Sequence, residues 1–543
     1  MIQAPTLPES GHNTTLGARQ SGTASVRSNI RAMTAHPWHK SAVVYQIYPR
    51  SFADGSGDGI GDLEGVISKL DYLQWLGVDA IWLSPIFPSP MADFGYDVSD
   101  YCDIDPLFGD LRIFDDLLAE AHRRRLKVML DWVPNHTSMK HPWFVESRSS
   151  LDNPKRDWYI WRDLQPNGEY PNNWTASFSD QQPAWTLDPT TGQYYLHLFL
   201  PEQPDLNWEH HDVEAAMLDT IRFWLDRGVD GLRMDVVHLI GKDFEDDPDG
   251  IAPLNHVQFN DVPVTHERLR RIRSVIDSYP GDRTSVGEVY LLDEQKMATY
   301  YGDDDELHMS FNFAFLWTSW DAAKLKKRIS TTLGLLGLRE ATPTWVLSNH
   351  DVPRHRQRYG GSEAVARAAA VMLLTLPGTA FVYQGEELGL LDAVVAPERV
   401  VDPGGRDGCR APIPWNNTAD CGWQADPWLP FPPETDRRNV QAQQADSNSI
   451  AHLYRRLLAA RRTHRALVRG TLTWMDAPDG VLAYQRATSA GDRCWVFVNT
   501  TGTPQTVAVP AANTIAVSTD RSQELMPFGG VLSADAAVVL RPI

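Results

Sequence analysis

From residue 41 onward, short continuous apolar runs alternate with longer stretches in which apolar positions recur every three or four residues. Runs of the first kind read as buried strands and stretches of the second as amphipathic helices. Strands are predicted at VVYQIYPRSF (43–52), AIWLSPIF (80–87), KVMLDWV (127–133), GLRMDVV (231–237), TSVGEVY (284–290), ELHMSFNF (306–313), PTWVLSNHD (343–351) and TAFVYQGEELG (379–389). Among the helices predicted between them are LEGVISKLDYLQWLG (63–77), closed by Gly77, FDDLLAEAHRRRL (114–126) and EAAMLDTIRFWLDRG (214–228). Strands that alternate with helices pair in parallel, and eight such units are the number that closes a (β/α)8 TIM barrel, an α/β fold.

Spacing divides the chain further. One βα unit needs roughly 30 to 50 residues. Asp235 to Glu288 is 53 residues, one unit, and Glu288 to Asp351 is 63, two units across the HMSFNF strand. Asp131 to Asp235 is 104, too long for one unit, so an irregular domain is inserted after strand three, over 135–208, where Trp, Pro, Asn and Asp are dense. The barrel then occupies 35–134 and 209–465, with a second, Pro- and Gly-rich insertion over about 390–447 and a closing helix, IAHLYRRLLAARRTHR. From 466 to 543, the alternating runs TLTWMD, VLAYQR, CWVFVN, QTVAVP and AAVVLR predict a C-terminal antiparallel β-sandwich. Residues 1–34 are polar and rich in Ser, Thr and Gly and read as a disordered extension.

Four of the strand segments run straight into acidic residues: VMLDWVPNH (128–136), GLRMDVV, SVGEV (285–289) and VLSNHD (346–351). Carboxyl ends of parallel strands deliver polar side chains to one shared mouth. A lone acid at a strand end is more often a helix cap or a solvated charge. Four in register, with Arg233, His136 and His350 beside them, point instead to acid/base or nucleophilic chemistry on a polar, neutral substrate. The overall charge agrees, since 50 Lys and Arg against 70 Asp and Glu leave a net −20 that repels phosphate backbones and anionic lipid. Nucleic acid and membrane are therefore not expected partners. Cys102, Cys409, Cys421 and Cys494 form neither a disulfide framework nor a zinc motif, and no signal-peptide core or bilayer-length apolar run is present. A cytoplasmic monomer or homodimer is expected.

In this order and at these spacings, DWVPNH, GLRMD, GEV and SNHD resemble the α-amylase family of glycoside hydrolases, family 13. QPDLNW (203–208), DFGYDVSDY (93–101) and GRDGCRAPIPW (405–415) are similar to its oligo-1,6-glucosidase and α-glucosidase branch. Retaining hydrolysis needs a carboxylate nucleophile and a carboxylic acid about 5 Å away. The resemblance implies Asp235 as nucleophile, Glu288 as general acid/base and Asp351 as the carboxylate that orients the sugar. Arg233, on the same side of the strand as Asp235, can keep the nucleophile ionised and aimed. Asp131 and Asn135 are expected to support these groups from behind, and His136 and His350 to act as neutral donors to sugar hydroxyls. Tyr96 has a face suited to stacking on a sugar, while Asp93, Asp97 and Arg406, with Arg410 beside it, could clamp terminal hydroxyls and close the pocket to all but a chain end. Phe178 is a candidate pocket wall, although the family's usual glycines are missing at 179–183. Val236, the residue after the nucleophile, bears on linkage: in the resembling branch valine accompanies α-1,6 cleavage, a methyl-scale contact of ~1 to 3 kcal/mol.

DGSGDGIGD (54–62) has the spacing of a calcium loop: Asp54, Ser56, Asp58 and Asp62 as oxygen donors, glycine at the sixth position and the Ile60 carbonyl at the seventh. Gly65 stands where an EF-hand has its last Glu, so a full EF-hand is excluded. A structural Ca2+ or Mg2+ is expected, with no cofactor for catalysis. The expected activity is exo-acting α-glucosidase on short maltose- or isomaltose-type oligosaccharides, with transfer to a second sugar as a side reaction. Alternatives are strict α-1,6 hydrolysis, a trehalose synthase or sucrose-acting glucosyltransferase on the same scaffold, and, more remotely, a non-catalytic carbohydrate-binding protein.

Overall fold

The computed structural model describes residues 36–178, 182–247 and 260–543; the expected extension over 1–34 lies outside the described residues, as do 179–181 of the stretch after Phe178. Eight parallel strands form one sheet: β1 Val43–Ile47, β2 Ala80–Leu83, β3 Lys127–Trp132, β4 Gly231–Met234, β5 Thr284–Gly287, β6 Met309–Ser310, β7 Thr344–Val346 and β8 Thr379–Tyr383. They neighbour in the order β7-β8-β1-β2-β3-β4-β5-β6. Between β6 and β7 the ring is completed by a side chain, the Thr344 hydroxyl donating to the Ser310 carbonyl at 2.5 Å. Alternate residues divide between two apolar clusters, as a strand's two-residue period requires. Val44, Ala80, Trp82, Met129, Val286, Met309, Val346 and Phe381 form one, inside the barrel. Their neighbours Val43, Tyr45, Ile81, Leu83, Val128 and Leu130 join the larger cluster under the surrounding helices.

The predicted helix at 63–77 is two helices, Leu63–Ser68 and Leu70–Leu76, divided at Lys69. The Ser68 hydroxyl bonds the Gly65 carbonyl at 2.7 Å, a local side-chain bond that competes with the helix ladder. Gly77, at φ +99°, ends the second helix as expected. The helix predicted at 214–228 starts earlier, as His211–Arg227, because the His210 side chain caps it by accepting from the Asp212 amide. ELHMSFNF yields only the two-residue β6, since the Asn312 side chain accepts from the Phe315 amide and starts the helix Phe313–Leu316.

The segment between β3 and His211–Arg227 carries a small antiparallel sheet of Trp161–Arg162, Trp185–Leu187 and Tyr194–Leu196. Its aromatic cluster, with Trp174, Trp185 and Phe199, includes Val236 and Leu239 from the turn after β4, so the insertion packs directly on the loop that follows Asp235. At the C-terminus a five-stranded antiparallel sheet runs Thr471–Trp474, Val481–Ala487, Arg493–Asn499, Ala537–Pro542, Asn513–Ser518 in spatial order, facing a two-stranded sheet of Gln505–Thr506 and Val531–Leu532. QTVAVP thus contributes only two strand residues, and the fifth strand, Asn513–Ser518, carries no strong alternation in sequence. One face of the large sheet (Leu482, Tyr484, Val496, Val498, Val539) joins the barrel cluster; the other (Val481, Trp495, Phe497, Ile515, Leu540) packs on Val507 and Leu532 of the small sheet. All four cysteines are free, and among the described residues no helix is long and apolar enough to cross a membrane.

On the helix Pro263–Asp277, His266 is held between Glu306 (2.7 Å) and Asp261 (3.4 Å). Against burial, which would lower it, these carboxylates raise the His266 imidazole from 6.5 to about 9. A raised folded-state value stabilises the fold fully below pH about 6.5 and is lost as pH climbs through 9, a contribution on the order of 3 kcal/mol. Comparing melting temperatures of wild type and His266→Gln should therefore show a gap at pH 6 that closes by pH 9.5; a gap independent of pH would refute the charged pairing.

Candidate active site

The functional side chains meet at the carboxyl ends of the strands. Asp131 lies in β3 and Arg233 in β4, Asp235 and Glu288 directly follow β4 and β5, and Asp351 lies on the turn beyond β7. Register fixes their relation: Asp131 pairs with Arg233 across β3 and β4, the Asp235 amide donates to the Trp132 carbonyl (2.9 Å), and the Glu288 amide to Met234 (2.8 Å). Just before Glu288, a Cβ on Gly287 would come within 2.4 Å of the tip of the Leu307 side chain, which would have to move.

Arg233 is the hub. Its Nη1 donates to Asp131 Oδ1 and Asp235 Oδ1, both at 2.7 Å, its Nη2 donates to Glu288 Oε2, and its guanidinium sits 5.3 Å from the Trp82 ring centroid. Asp235 and Glu288 are thus brought together on one guanidinium. Burial, which outweighs the Arg233 charge, and then the adjoining Glu288 carboxylate push the Asp235 carboxyl up. Burial likewise raises Asp131, to about 6. Three carboxylates around one cation in a dry site repel one another, and that repulsion adds to the rise at Asp235. Val236 follows at φ +31°, a left-handed conformation that a β-branched residue adopts at a cost on the order of 1–3 kcal/mol. That turn brings the Val236 amide to 3.3 Å from Glu288 Oε2.

A second network surrounds Asp351. Arg406 Nη1 (3.0 Å) and Arg410 Nη2 (3.2 Å) reach its Oδ1, and His350 Nε2 lies 3.2 Å from Oδ2. Against burial, His350 and the two arginines hold the Asp351 carboxyl far below the usual carboxylate range. Burial pushes His350 down to about 3, so its ring is neutral and acts on Asp351 only through the Nε2 contact, which leaves the two arginines as the charges that keep Asp351 ionised. Gln46 meets its Nδ1 at 2.7 Å, Tyr96 OH meets its Nε2 at 2.6 Å, and Tyr96 OH donates to Asp131 Oδ2 at 3.1 Å, linking the two networks. Arg406 also binds Asp93 Oδ1 (2.7 Å) and lies 4.6 Å from the Phe178 ring centroid.

The resulting pocket is lined by Asp93, Tyr96, His136, Phe178, Val236 and Arg406 together with Asp235, Glu288 and Asp351, and its open volume, mouth included, is about 770 Å3. Four residues expected to touch substrate do not line it. Asp97 is fully buried and accepts from the Ser89 hydroxyl and the Ala92 and Asp93 amides, so it pins the loop that carries Asp93. Arg233, His350 and Arg410 are likewise enclosed, positioning the carboxylates rather than facing the cavity. Asn135 stays behind the wall, bonded to Asp205 (3.0 Å) and Lys242 (2.9 Å). The sequence reading missed Phe199, His238, Tyr290, Phe313, Trp317 and Val352 in the lining, and Gln203, which joins His136 (3.0 Å) to Asp93 (3.2 Å). It also missed Asp402, which takes the Arg406 amide (2.6 Å), Nε (2.9 Å) and Nη2 (2.7 Å). Asp402 stands four residues before Arg406, a spacing that could have suggested it.

The loop at 54–62 lies apart from the pocket. Asp54 accepts from the Gly57 (2.6 Å) and Gly59 (3.0 Å) amides, and Asp62 caps the helix Leu63–Ser68 through the Gly65 amide (2.6 Å) while taking the Ser56 amide (2.8 Å). Among the described residues, the one acid or histidine group whose ligand atoms all lie within 4.8 Å is the surface cluster His210, His211 and Asp212, so the loop's three aspartates do not converge that closely.

A parallel barrel whose mouth gathers three acids around one arginine is the architecture of a barrel enzyme. The family described as Alpha amylase, catalytic domain, matches residues 46–470, and the chain belongs to it. A probable alpha-glucosidase of Rhizobium meliloti (strain 1021) is 43% identical over 489 residues, covering 83% of this chain and 87% of that protein. An oligo-1,6-glucosidase of Parageobacillus thermoglucosidasius is 39% identical over 515 residues, 85% of this chain and 90% of that one. The crystal structure of the alpha-glucosyl transfer enzyme XgtA superposes with a TM-score of 0.85 at 40% identity, covering 94% of this chain and all of the other.

Asp402→Ala should leave the buried Arg406 short of three acceptors and lower the unfolding free energy by about 3 to 5 kcal/mol, read from the first urea transition. Asp402→Asn, which keeps an acceptor oxygen, should lose less. An unchanged midpoint in both would mean that Asp93 and Asp351 alone hold the arginine.

Proposed function

We propose that the protein is a retaining, exo-acting α-glucosidase that removes terminal non-reducing α-linked glucose from short maltose- or isomaltose-type oligosaccharides, with some transfer to acceptors other than water. The observation that carries this is the Asp235–Glu288 pair, bridged by one guanidinium. Carboxyl groups that close have no room for the water an inverting mechanism places between them, whereas about 5 Å suits a direct attack. In the working form the general acid, Glu288, carries a proton and Asp235 is a carboxylate. Asp235 attacks the anomeric carbon while Glu288 protonates the departing oxygen. Glu288, now a carboxylate, takes a proton from water, whose oxygen displaces Asp235 and restores the α configuration. Asp351, kept ionised by its two arginines, binds hydroxyls of the terminal glucose and favours the flattened transition state.

The exo preference rests on the far wall. Arg406 joins Asp93 from the loop after β2 to Asp402 and Asp351 from the loops after β8 and β7, and Phe178 packs over it. A charged strap of this kind leaves no groove for a chain to continue past the terminal sugar. Val236, in the pocket wall beside Glu288, favours α-1,6-linked substrates as a second reading. The four free thiols suit a reducing cytoplasm. The structural Ca2+ or Mg2+ proposed for the loop at 54–62 would draw Asp54, Ser56, Asp58, the Ile60 carbonyl and Asp62 together from their present wider spacing. Gly57 and Gly59, at φ +86° and +87°, let it curl, and its donors are the hard oxygens these ions take.

Glucose freshly released from p-nitrophenyl α-glucoside should be the α anomer by NMR; β-glucose would refute the retaining assignment. Asp235→Asn should abolish turnover of every substrate. Glu288→Gln should slow maltose hydrolysis by about 10²- to 10⁴-fold but first-step release of nitrophenolate from p-nitrophenyl α-glucoside far less, because that leaving group departs without a proton. Equal losses on both substrates would remove Glu288 from the acid role. Chelation should lower the melting temperature, with Ca2+ or Mg2+ restoring it; a melting curve indifferent to both would remove the cation.

A further inference from the structure

A second cavity opens in the inserted segment, along its small antiparallel sheet rather than at the strand ends of the barrel. It is a groove with about 820 Å3 of open space, mouth included, and among the described residues Phe199 is the one that lines both it and the catalytic pocket. On the pocket side the Phe199 ring lies 5.1 Å from that of His136 and 6.0 Å from that of Phe178. Pairing sets Tyr194 opposite Leu187, with Trp185 two residues before Leu187 on the same face of the sheet. Tyr170, from the loop before the sheet, stands edge-on to Tyr194, their ring centroids 5.7 Å apart at 90°. Tyr170 is 42% exposed and Leu187 47%, so this apolar floor is open to water. Ser177, Gln182 and Thr186 add hydroxyl and amide groups to the lining. His197 meets the Thr186 hydroxyl (2.8 Å) and the Phe199 carbonyl (2.9 Å), and burial lowers its pKa, so it is neutral. In a chain that is 22% charged, not one Asp, Glu, Lys or Arg among the described residues lines this groove.

That composition discriminates among ligands. A charged ligand would lose hydration there and meet no counter-charge. A wholly apolar one would cover Ser177, Gln182 and Thr186 without pairing them. A neutral sugar suits both parts, laying its C–H face on an aromatic ring and turning its hydroxyls to the hydroxyl and amide groups. We propose that this groove is a second, non-catalytic site for a neutral α-linked oligosaccharide, with Tyr170 and Tyr194 as its platform. The choice of an α-linked sugar rests on the glucosidase reading. Because no carboxyl group lines the groove, a chain bound there is not cleaved. At Phe199 the groove and the catalytic pocket are one ring apart, so that chain is held beside the site that consumes it.

The test counts bound sugar. The full chain carrying Asp235→Asn, which should bind without turning over, is dialysed to equilibrium against labelled maltotriose at rising concentration. Two molecules should be bound per chain at saturation. In that background Tyr170→Ala, which removes the exposed ring, and Leu187→Lys, which sets a charge on the floor, should each remove one. Both side chains are close to half exposed, so neither change opens the core. In the otherwise native chain, both variants should release nitrophenol from p-nitrophenyl α-glucoside at the wild-type rate. A single bound molecule that neither change removes overturns the proposal and leaves the glucosidase reading intact, as does a count of two that neither change lowers. Loss of nitrophenol release in both variants would make the groove part of the catalytic pocket and overturn the proposal too. Absence of nitrophenol release from wild type would sink the glucosidase reading itself, and this proposal with it.

Discussion

One guanidinium organises the mouth of this barrel. Arg233 is sealed from solvent, yet it donates at once to Asp131, Asp235 and Glu288, which come from three adjacent strands. Isolated, any of these buried charges would cost several kcal/mol. Together they make a site in which positive charge is fully committed and three carboxyls compete for one cation. That imbalance is the useful property, because double displacement needs one carboxylate and one acid side by side at the same pH. The strained Val236 is the backbone concession that goes with both acids reaching the same arginine.

The second cation cluster does the opposite work. Around Asp351 stand Arg406, Arg410 and a neutral His350, so two guanidiniums meet one of its oxygens and the carboxyl stays ionised. Asp402 in turn holds Arg406, and Asp93 ties it to the loop after β2. The Gln46–His350–Tyr96–Asp131 chain of hydrogen bonds connects this cluster to the Arg233 hub. A displacement in either cluster is thereby felt in the other, which explains why so many polar residues near the pocket never face it.

The inserted segment and the loop after β8 contribute no acid or base to the Arg233 hub, but they decide what kind of pocket the hub serves. Phe178 and Phe199 come from the first, Arg406 from the second, and the insertion's aromatic cluster closes on Val236 and Leu239. The barrel supplies reactive groups on rigid strand ends, and irregular segments supply selectivity.

The eight-unit barrel was legible in the sequence because buried parallel strands and amphipathic helices differ in local period, and the acidic strand ends were legible because strand direction alone sends them to one mouth. The C-terminal β region followed from its alternating runs, apart from Asn513–Ser518, whose pairing is set by its neighbour Ala537–Pro542 rather than by its own pattern. Tertiary structure decided the rest. Whether Asp97, His350 and Arg410 meet the cavity depends on loop direction, and Asp97 turned inward because three donors of its own loop surround it. The aromatic wall of Tyr290, Phe313 and Trp317 carries no motif, since an apolar ring in a core and one in a pocket have the same local signature. Local periodicity reports which residues leave water; only the packed chain decides which of them then face an empty space.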